Sequence, residues 1–375
     1  MILAFEGGRG LAAVFVALYH LLWESGYFSV IRNAYVFVDL FFVLSGFLMY
    51  SLYAKKLHSP NEFKPFVIRR FGRLFPLMAF STLFYIFCHF LVIFLKRKFY
   101  IATEGISYAN SHFMGYPYPK INELLSTLTF TNGLGFFNRN VLNEPTWSIS
   151  TEFYTYILFA IFCFFTRTKK LVISLAIFSM LSYALTVWGS VDIHQCLVRG
   201  KCLDVAFDFG FPRCIAAFFI GAIASAYCNS GMKFNIYYLQ ISGIILLVLL
   251  LSTMDNYPGV AFAFPITFSI LVVSVSTDEG PLAAVLKLKI FQIMGQRSFS
   301  IYLMHASILL FFREFIQKIG LGLPLFLFAL FYITIIIMIS KWTYKFIENP
   351  FRILFNRIAT KGIKCEKNIA TSGVQ

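Results

Sequence analysis

Val36-Phe37-Val38-Asp39-Leu40-Phe41-Phe42-Val43-Leu44-Ser45-Gly46-Phe47 is an apolar run broken by one carboxylate. It lies inside a longer apolar segment, residues 34–54, and about 20 such residues cross a bilayer as a helix. Working outward, the same pattern recurs at 10–28, 71–95, 146–166, 170–189, 209–228, 236–254, 259–277, 295–313 and 322–344. The sequence predicts an all-α polytopic membrane protein with about ten transmembrane helices.

Composition agrees. Of 375 residues, 59% are hydrophobic and only 13% are charged, with 47 Phe and 20 Tyr. Soluble domains carry about 25% charged residues. A water-soluble multi-domain enzyme and a disordered chain are both excluded. The formal charge of +15 reads first as topology, because Lys and Arg collect in cytoplasmic loops, and no nucleic-acid partner is expected. With the N-terminus inside, 21 of the 32 basic residues fall on inner segments, so both termini are expected to be cytoplasmic. Met1–Gly8 has no basic residue and no small-residue cleavage signature follows it, so the first helix is expected to be retained.

The membrane helices hold ionisable residues that are costly there and mark function by default. His20, Asp39 and Glu152 are expected roughly 8–10 Å below the outer interface, and His305 about ten residues in from the inner side. Four helices thus place titratable groups in one slab, which suggests a shared polar cavity. Arg9 precedes His20 by three helical turns, on the same face and about 16 Å away. Asp39 is a candidate to orient His20. Arg69 and Arg73 share a helix face at an inner rim and form a fork suited to phosphates; positive-inside anchoring is the plainer alternative. Ser148 and Glu152 share a face of the fourth helix, which Pro145 opens. Ser45-Gly46 reads as a close-packing notch. Cys196 and Cys202 share an outer loop where a disulfide is an open possibility. No cysteine or histidine spacing suggests a metal site. His194 lies in a loop with no visible constellation. The chain after Arg352 reads as a mobile polar tail, leaving residues 1–351 as the membrane domain and 352–375 as the tail.

Taken together, these segments resemble the integral-membrane acyltransferase family 3, which O-acetylates lipopolysaccharide, exopolysaccharide and lipo-oligosaccharide signals in bacteria. The resemblance runs through Arg9-x10-His20, the Val38–Phe47 run, Arg69-xxx-Arg73 with Pro76, and Trp147-Ser148-Ile149-Ser150-x-Glu152. It continues with Ser298-Phe299-Ser300-Ile301-Tyr302-x-x-His305 and Tyr344-Lys345-Phe346-Ile347-Glu348-Asn349-Pro350-Phe351.

The resemblance implies an enzyme of the bacterial inner membrane that takes an acetyl or acyl group from cytoplasmic acyl-CoA. The acceptor would be a hydroxyl of a cell-surface or lipid-linked glycan, such as lipopolysaccharide O-antigen or exopolysaccharide. It makes Arg9 and His20 the catalytic pair, supported by Asp39 and Glu152. It puts Arg69, Arg73 and the intervening Arg70 on the CoA phosphates. Trp147, Ser148, Ser150, Tyr154, Ser298, Tyr302 and His305 are then the candidate pocket. The chain departs from the family at Phe153, where many members carry a second acid, and only about 20 residues follow the last motif. It would act alone or pass its acyl group to a separate partner. Membrane lipids are further partners, and a homo-oligomer stays open. The rival class is a proton-coupled secondary transporter, since intramembrane His, Asp and Glu also build proton relays; the inverted repeats of transporters are not evident.

Overall fold

The computed structural model describes residues 2–22, 29–100, 119–231, 235–316 and 323–372. Eleven longer helices dominate them. They are α1 (Leu3–Leu22), α2 (Phe37–Tyr53), α3 (Pro60–Tyr100), α4 (Thr146–Phe165), α5 (Thr168–Trp188) and α6 (Gly210–Asn229). They continue with α7 (Ile236–Thr253), α8 (Phe264–Ser274), α9 (Ser298–Ile316), α10 (Leu323–Thr343) and α11 (Asn349–Ser372). Seven helical stretches among the described residues are long and apolar enough to cross a membrane; the apolar stretches at Pro258–Ser274 and Ser298–Phe312 are shorter. Each of the ten expected segments overlaps a described helix, with residues 23–28 of the first and 322 of the last lying outside the described residues. The protein is an all-α polytopic membrane protein.

Two helices begin earlier than their hydropathy suggests. α1 starts at Leu3 because the Asp278 carboxylate caps it, accepting from the backbone N–H groups of Leu3 (2.8 Å) and Ala4 (2.7 Å). This meets orphan donors of the first turn. Arg9 therefore lies in the second turn of a continuous helix, and His20 lies two residues from its described end. α3 starts at Pro60, well before the apolar stretch, so Arg69, Arg70 and Arg73 are all helical.

Packing rests on close backbone approach, as expected where lipid is no less apolar than a side chain. α2 and α6 form the tightest pair. Gly46 of α2 lies on the backbone of Phe218, and Gly221 of α6 lies on that of Val43, with no room for a Cβ at either position. The described residues after Arg352, in the stretch expected as a polar tail, are helical and belong to α11. It packs on α3, where Gly72 receives the Phe355 ring. Its apolar positions recur at helical spacing among basic residues, a pattern that a hydropathy window averages away.

Candidate active site

His20 stands in the wall of a cavity of about 530 Å³, formed by α1, α2, α9, the chain before α4 and the 194–207 loop. Its Nδ1 is 2.8 Å from the carbonyl oxygen of Val16 one turn earlier. A carbonyl can only accept, so Nδ1 carries a hydrogen, and in the neutral form of the ring Nε2 presents a lone pair. Nε2 lies 4.0 Å from Oε2 of Glu144. Glu144 is steadied by Asn140, whose amide donates to Oε1 at 2.8 Å. Behind His20 lies the fully buried His305, with ring centroids 4.8 Å apart. Nδ1 of His305 donates to the Tyr302 carbonyl at 2.6 Å, and its Nε2 has no hydrogen-bond partner.

The 194–207 loop closes one side of this cavity. A Cys196–Cys202 disulfide staples it, and the Tyr35 hydroxyl donates to the Cys202 carbonyl at 2.6 Å. The loop brings in His194, Arg199, Lys201 and Asp204. His194 Nε2 is paired with Asp208 at 2.5 Å, a constellation invisible in the sequence because fourteen residues separate the two. Lys201 reaches the Tyr19 hydroxyl at 3.4 Å. Burial depresses the Lys201 ammonium below its usual range, against the opposing pull of Asp204.

A second, narrow cavity of about 40 Å³ lies toward the Arg9 end of α1. Arg9, Ser45, Ser148, Glu152, Ser298 and Phe299 line it, and Val38 and Tyr302 line both cavities. The Tyr302 hydroxyl is hydrogen-bonded to Ser148 at 2.8 Å. Arg9 is also 3.5 Å from Glu6. Glu152 accepts from Ser45 at 2.5 Å and from the Tyr156 hydroxyl. Thus Arg9 and His20 do lie on one side of α1, each opening to a cavity that shares a wall with the other.

Asp39 belongs elsewhere. The expectation that it orients His20 gives way to a buried ion pair: Arg213 of α6 holds both carboxylate oxygens, with Nε 3.1 Å from Oδ1 and Nη2 2.7 Å from Oδ2. The Arg213 guanidinium in turn covers the Trp147 ring, 5.6 Å from its centroid. Ser150 and Tyr154 line neither cavity; Ser150 donates to the Phe130 carbonyl and Tyr154 to that of Thr129 at 3.3 Å. Both tie α4 to the 129–133 turn.

The three arginines of α3 are not equivalent. Arg73 is committed to Glu348, which also accepts from Ser300 at 2.8 Å. Arg69 faces Glu62 at 3.8 Å. Arg70 sits among the Tyr53, Phe66 and Tyr156 rings, 5.5–5.8 Å from their centroids, and its Nε has no hydrogen-bond partner. Each arm of the fork expected from Arg69 and Arg73 thus faces a carboxylate, and Arg70 between them has a buried Nε without a hydrogen-bond partner.

Glu144, Asn140, Arg213, Glu348 and the His194–Asp208 pair are site residues that the sequence did not single out. Glu144 stands beside Pro145 in the quoted motif, but its partner is on α1, over 120 positions away. A polytopic helical membrane protein with an imidazole lone pair facing a polar cavity, and a second cavity leading toward a cation, belongs to the class equipped for group transfer within a membrane. Comparison agrees: residues 2–343 match the model of the acyltransferase domain family, and the chain belongs to that family. It is 25% identical to O-acetyltransferase OatA of Staphylococcus aureus, over 92% of this chain and 56% of that protein. It is 23% identical to "Putative peptidoglycan O-acetyltransferase YrhL" of Bacillus subtilis, over 92% of this chain and 54% of that protein. The chain spans about half the length of these curated relatives. No solved structure matches it.

Proposed function

We propose that this protein is an O-acetyltransferase of the bacterial cytoplasmic membrane that moves an acetyl group from cytoplasmic acetyl-CoA to a glycan hydroxyl on the outer side. The observation that carries the reading is the His20 lone pair at the wall of the 530 Å³ cavity, with the Arg9 cavity adjoining it across Tyr302. The arginine-rich turns of α3 and the excess of inner basic residues support a donor that enters from the Arg9 side. Arg70 is the phosphate contact, because Arg69 and Arg73 already face Glu62 and Glu348. The acyl arm extends past Phe41, Phe299 and Tyr302. The cavity there is only about 40 Å³, too small for the arm, so these side chains part when it enters.

In the direct route, His20 Nε2 takes the proton of the acceptor hydroxyl as its oxygen attacks the thioester carbonyl. The C–S bond breaks, and the CoA thiolate leaves with the proton that His20 returns. In the covalent route, Nε2 attacks first, an acyl-imidazole forms with release of CoA, and the hydroxyl then takes the acyl group. Acetyl label held on His20 with donor alone separates the two. Lipopolysaccharide O-antigen and exopolysaccharide are acceptors implied by the sequence resemblance. The name of the Bacillus relative adds peptidoglycan, which we favour.

Proteoliposomes decide between this reading and transport. Acetyl-CoA inside and peptidoglycan strands outside should yield O-acetylated glycan, detected as an added acetyl mass. Movement of a solute with no covalent change would refute enzyme function.

A further inference from the structure

Three hydrogen-bond acceptors on one wall of the larger cavity lack a donor. In the neutral ring His20 Nε2 is a lone pair, since Nδ1 donates to the Val16 carbonyl. Glu144 Oε2 stands 4.0 Å away, too far for a hydrogen bond, and the described residues supply it no donor. Asn140 gives its N–H to Glu144 Oε1, while its own Oδ1 is buried without a partner. Two acceptors that face each other repel unless a hydrogen-bearing group lies between them. Asn140 Oδ1 is buried, where an unmet acceptor is costly, and His20 and Glu144 open beside it into the cavity, so the wall suits a ligand with several donors close together. Of the other membrane carboxylates, Asp39 is engaged by Arg213, and Glu152 by Ser45 and Tyr156; Asp204 lines the same cavity from the 194–207 loop.

Resting on the functional reading above, we infer that Glu144, held in place by Asn140, binds the acceptor sugar beside the hydroxyl that His20 deprotonates. One hydroxyl gives its hydrogen to His20 Nε2. A second O–H or N–H, on the neighbouring ring carbon, gives its hydrogen to Glu144 Oε2. Asn140 Oδ1 takes a third donor farther along the sugar. The substrate class is thus a pyranose with donors on adjacent carbons, and an isolated alcohol is a poor acceptor. Glu144 also selects the position acylated, because the reactive hydroxyl must have its donor neighbour on the Glu144 side.

The test uses the full chain in liposomes loaded with acetyl-CoA, with methyl glucopyranoside or each of its monodeoxy analogues outside. A hydrogen bond to a charged group is lost in the analogue lacking the neighbouring donor, so wild-type acceptor kcat/KM should fall about 10–100-fold. Glu144→Ala should lose the same factor on the parent sugar and then treat parent and analogue alike. Asn140→Ala should show a smaller loss in the same direction. The KM for acetyl-CoA should stay within about twofold in both variants, which a general folding defect would not permit. Discrimination by Glu144→Ala equal to wild type overturns the inference and leaves the functional reading standing. Transfer by the wild type to none of these sugars and not to peptidoglycan overturns both.

Discussion

Arg213 Nη2 lies 2.7 Å from Asp39 Oδ2, with the side chains 3% and 0% exposed. Opposite charges so enclosed cannot be separated cheaply. The pair joins α2 to α6 beside the Trp147 ring, and Arg213 lines the same cavity as His20. It makes Asp39 a structural partner of Arg213 in a place where its depth in the membrane suggested chemistry.

Asp39→Ala should therefore unfold the protein before it can be tested as a catalyst. Breaking one side of a buried ion pair costs about 3–5 kcal/mol, whereas replacing both partners by apolar residues is often neutral. Thermal unfolding in detergent should show a large fall for Asp39→Ala and a much smaller one for Asp39→Leu combined with Arg213→Met. Equal falls would mean that the pair does not act as a unit.

The arginines of α3 should separate donor binding from stability. Arg73→Ala strands the buried Glu348 carboxylate and should lower stability by several kcal/mol. Arg70→Ala removes no ion partner from a carboxylate and should raise the KM for acetyl-CoA about tenfold or more with a smaller stability loss. Initial rates against acetyl-CoA concentration, beside melting curves, give the comparison. The opposite pattern would return the phosphate contact to Arg73.

The Cys196–Cys202 disulfide closes a short loop that carries Arg199 and Lys201 to the cavity. By the chain-entropy relation such a loop contributes about 2 kcal/mol. The double Cys→Ser variant, or wild type under dithiothreitol, should lose that stability and raise the acceptor KM while the donor KM holds. A rise confined to the donor KM would contradict this placement of the loop.

Asp255 lies in the turn after α7, outside the spanning helices, and binds Arg32, Ser29 and Asn33. Burial pushes its carboxyl up, but these hydrogen bonds and the Arg32 charge outweigh burial and hold it below the usual range. A carboxylate depressed on folding adds stability that is complete above its unfolded value, about 3.9, and is lost as pH falls through the folded one. The pair is partly exposed, so the contribution should be under about 1 kcal/mol. Melting curves between pH 5 and 2 should show Asp255→Asn with a shallower acid decline; an identical decline removes the pair from the acid response.

Much of this was legible in the sequence, and the misses share a cause. Helix positions follow from hydropathy, because each span must be apolar regardless of its neighbours. The starts of α1 and α3 do not, since the α1 cap comes from Asp278 and the first turns of α3 are polar. Four ionisable residues in one slab pointed to a cavity, and His20 stands in one. Their partners were not legible: Asp39 with Arg213, Glu348 with Arg73, and His20 with Glu144 are pairs set by helix packing. The Ser45-Gly46 notch was readable because a missing Cβ is a local property.

The central claim is that the His20 lone pair carries the acyl transfer. The most direct measurement is acetyl transfer from acetyl-CoA inside proteoliposomes to peptidoglycan strands outside, comparing wild type with His20→Ala at equal amounts of folded protein. Loss of essentially all glycan acetylation in His20→Ala, with acetyl-CoA binding retained, is the predicted result. Wild-type rates in that variant would contradict it.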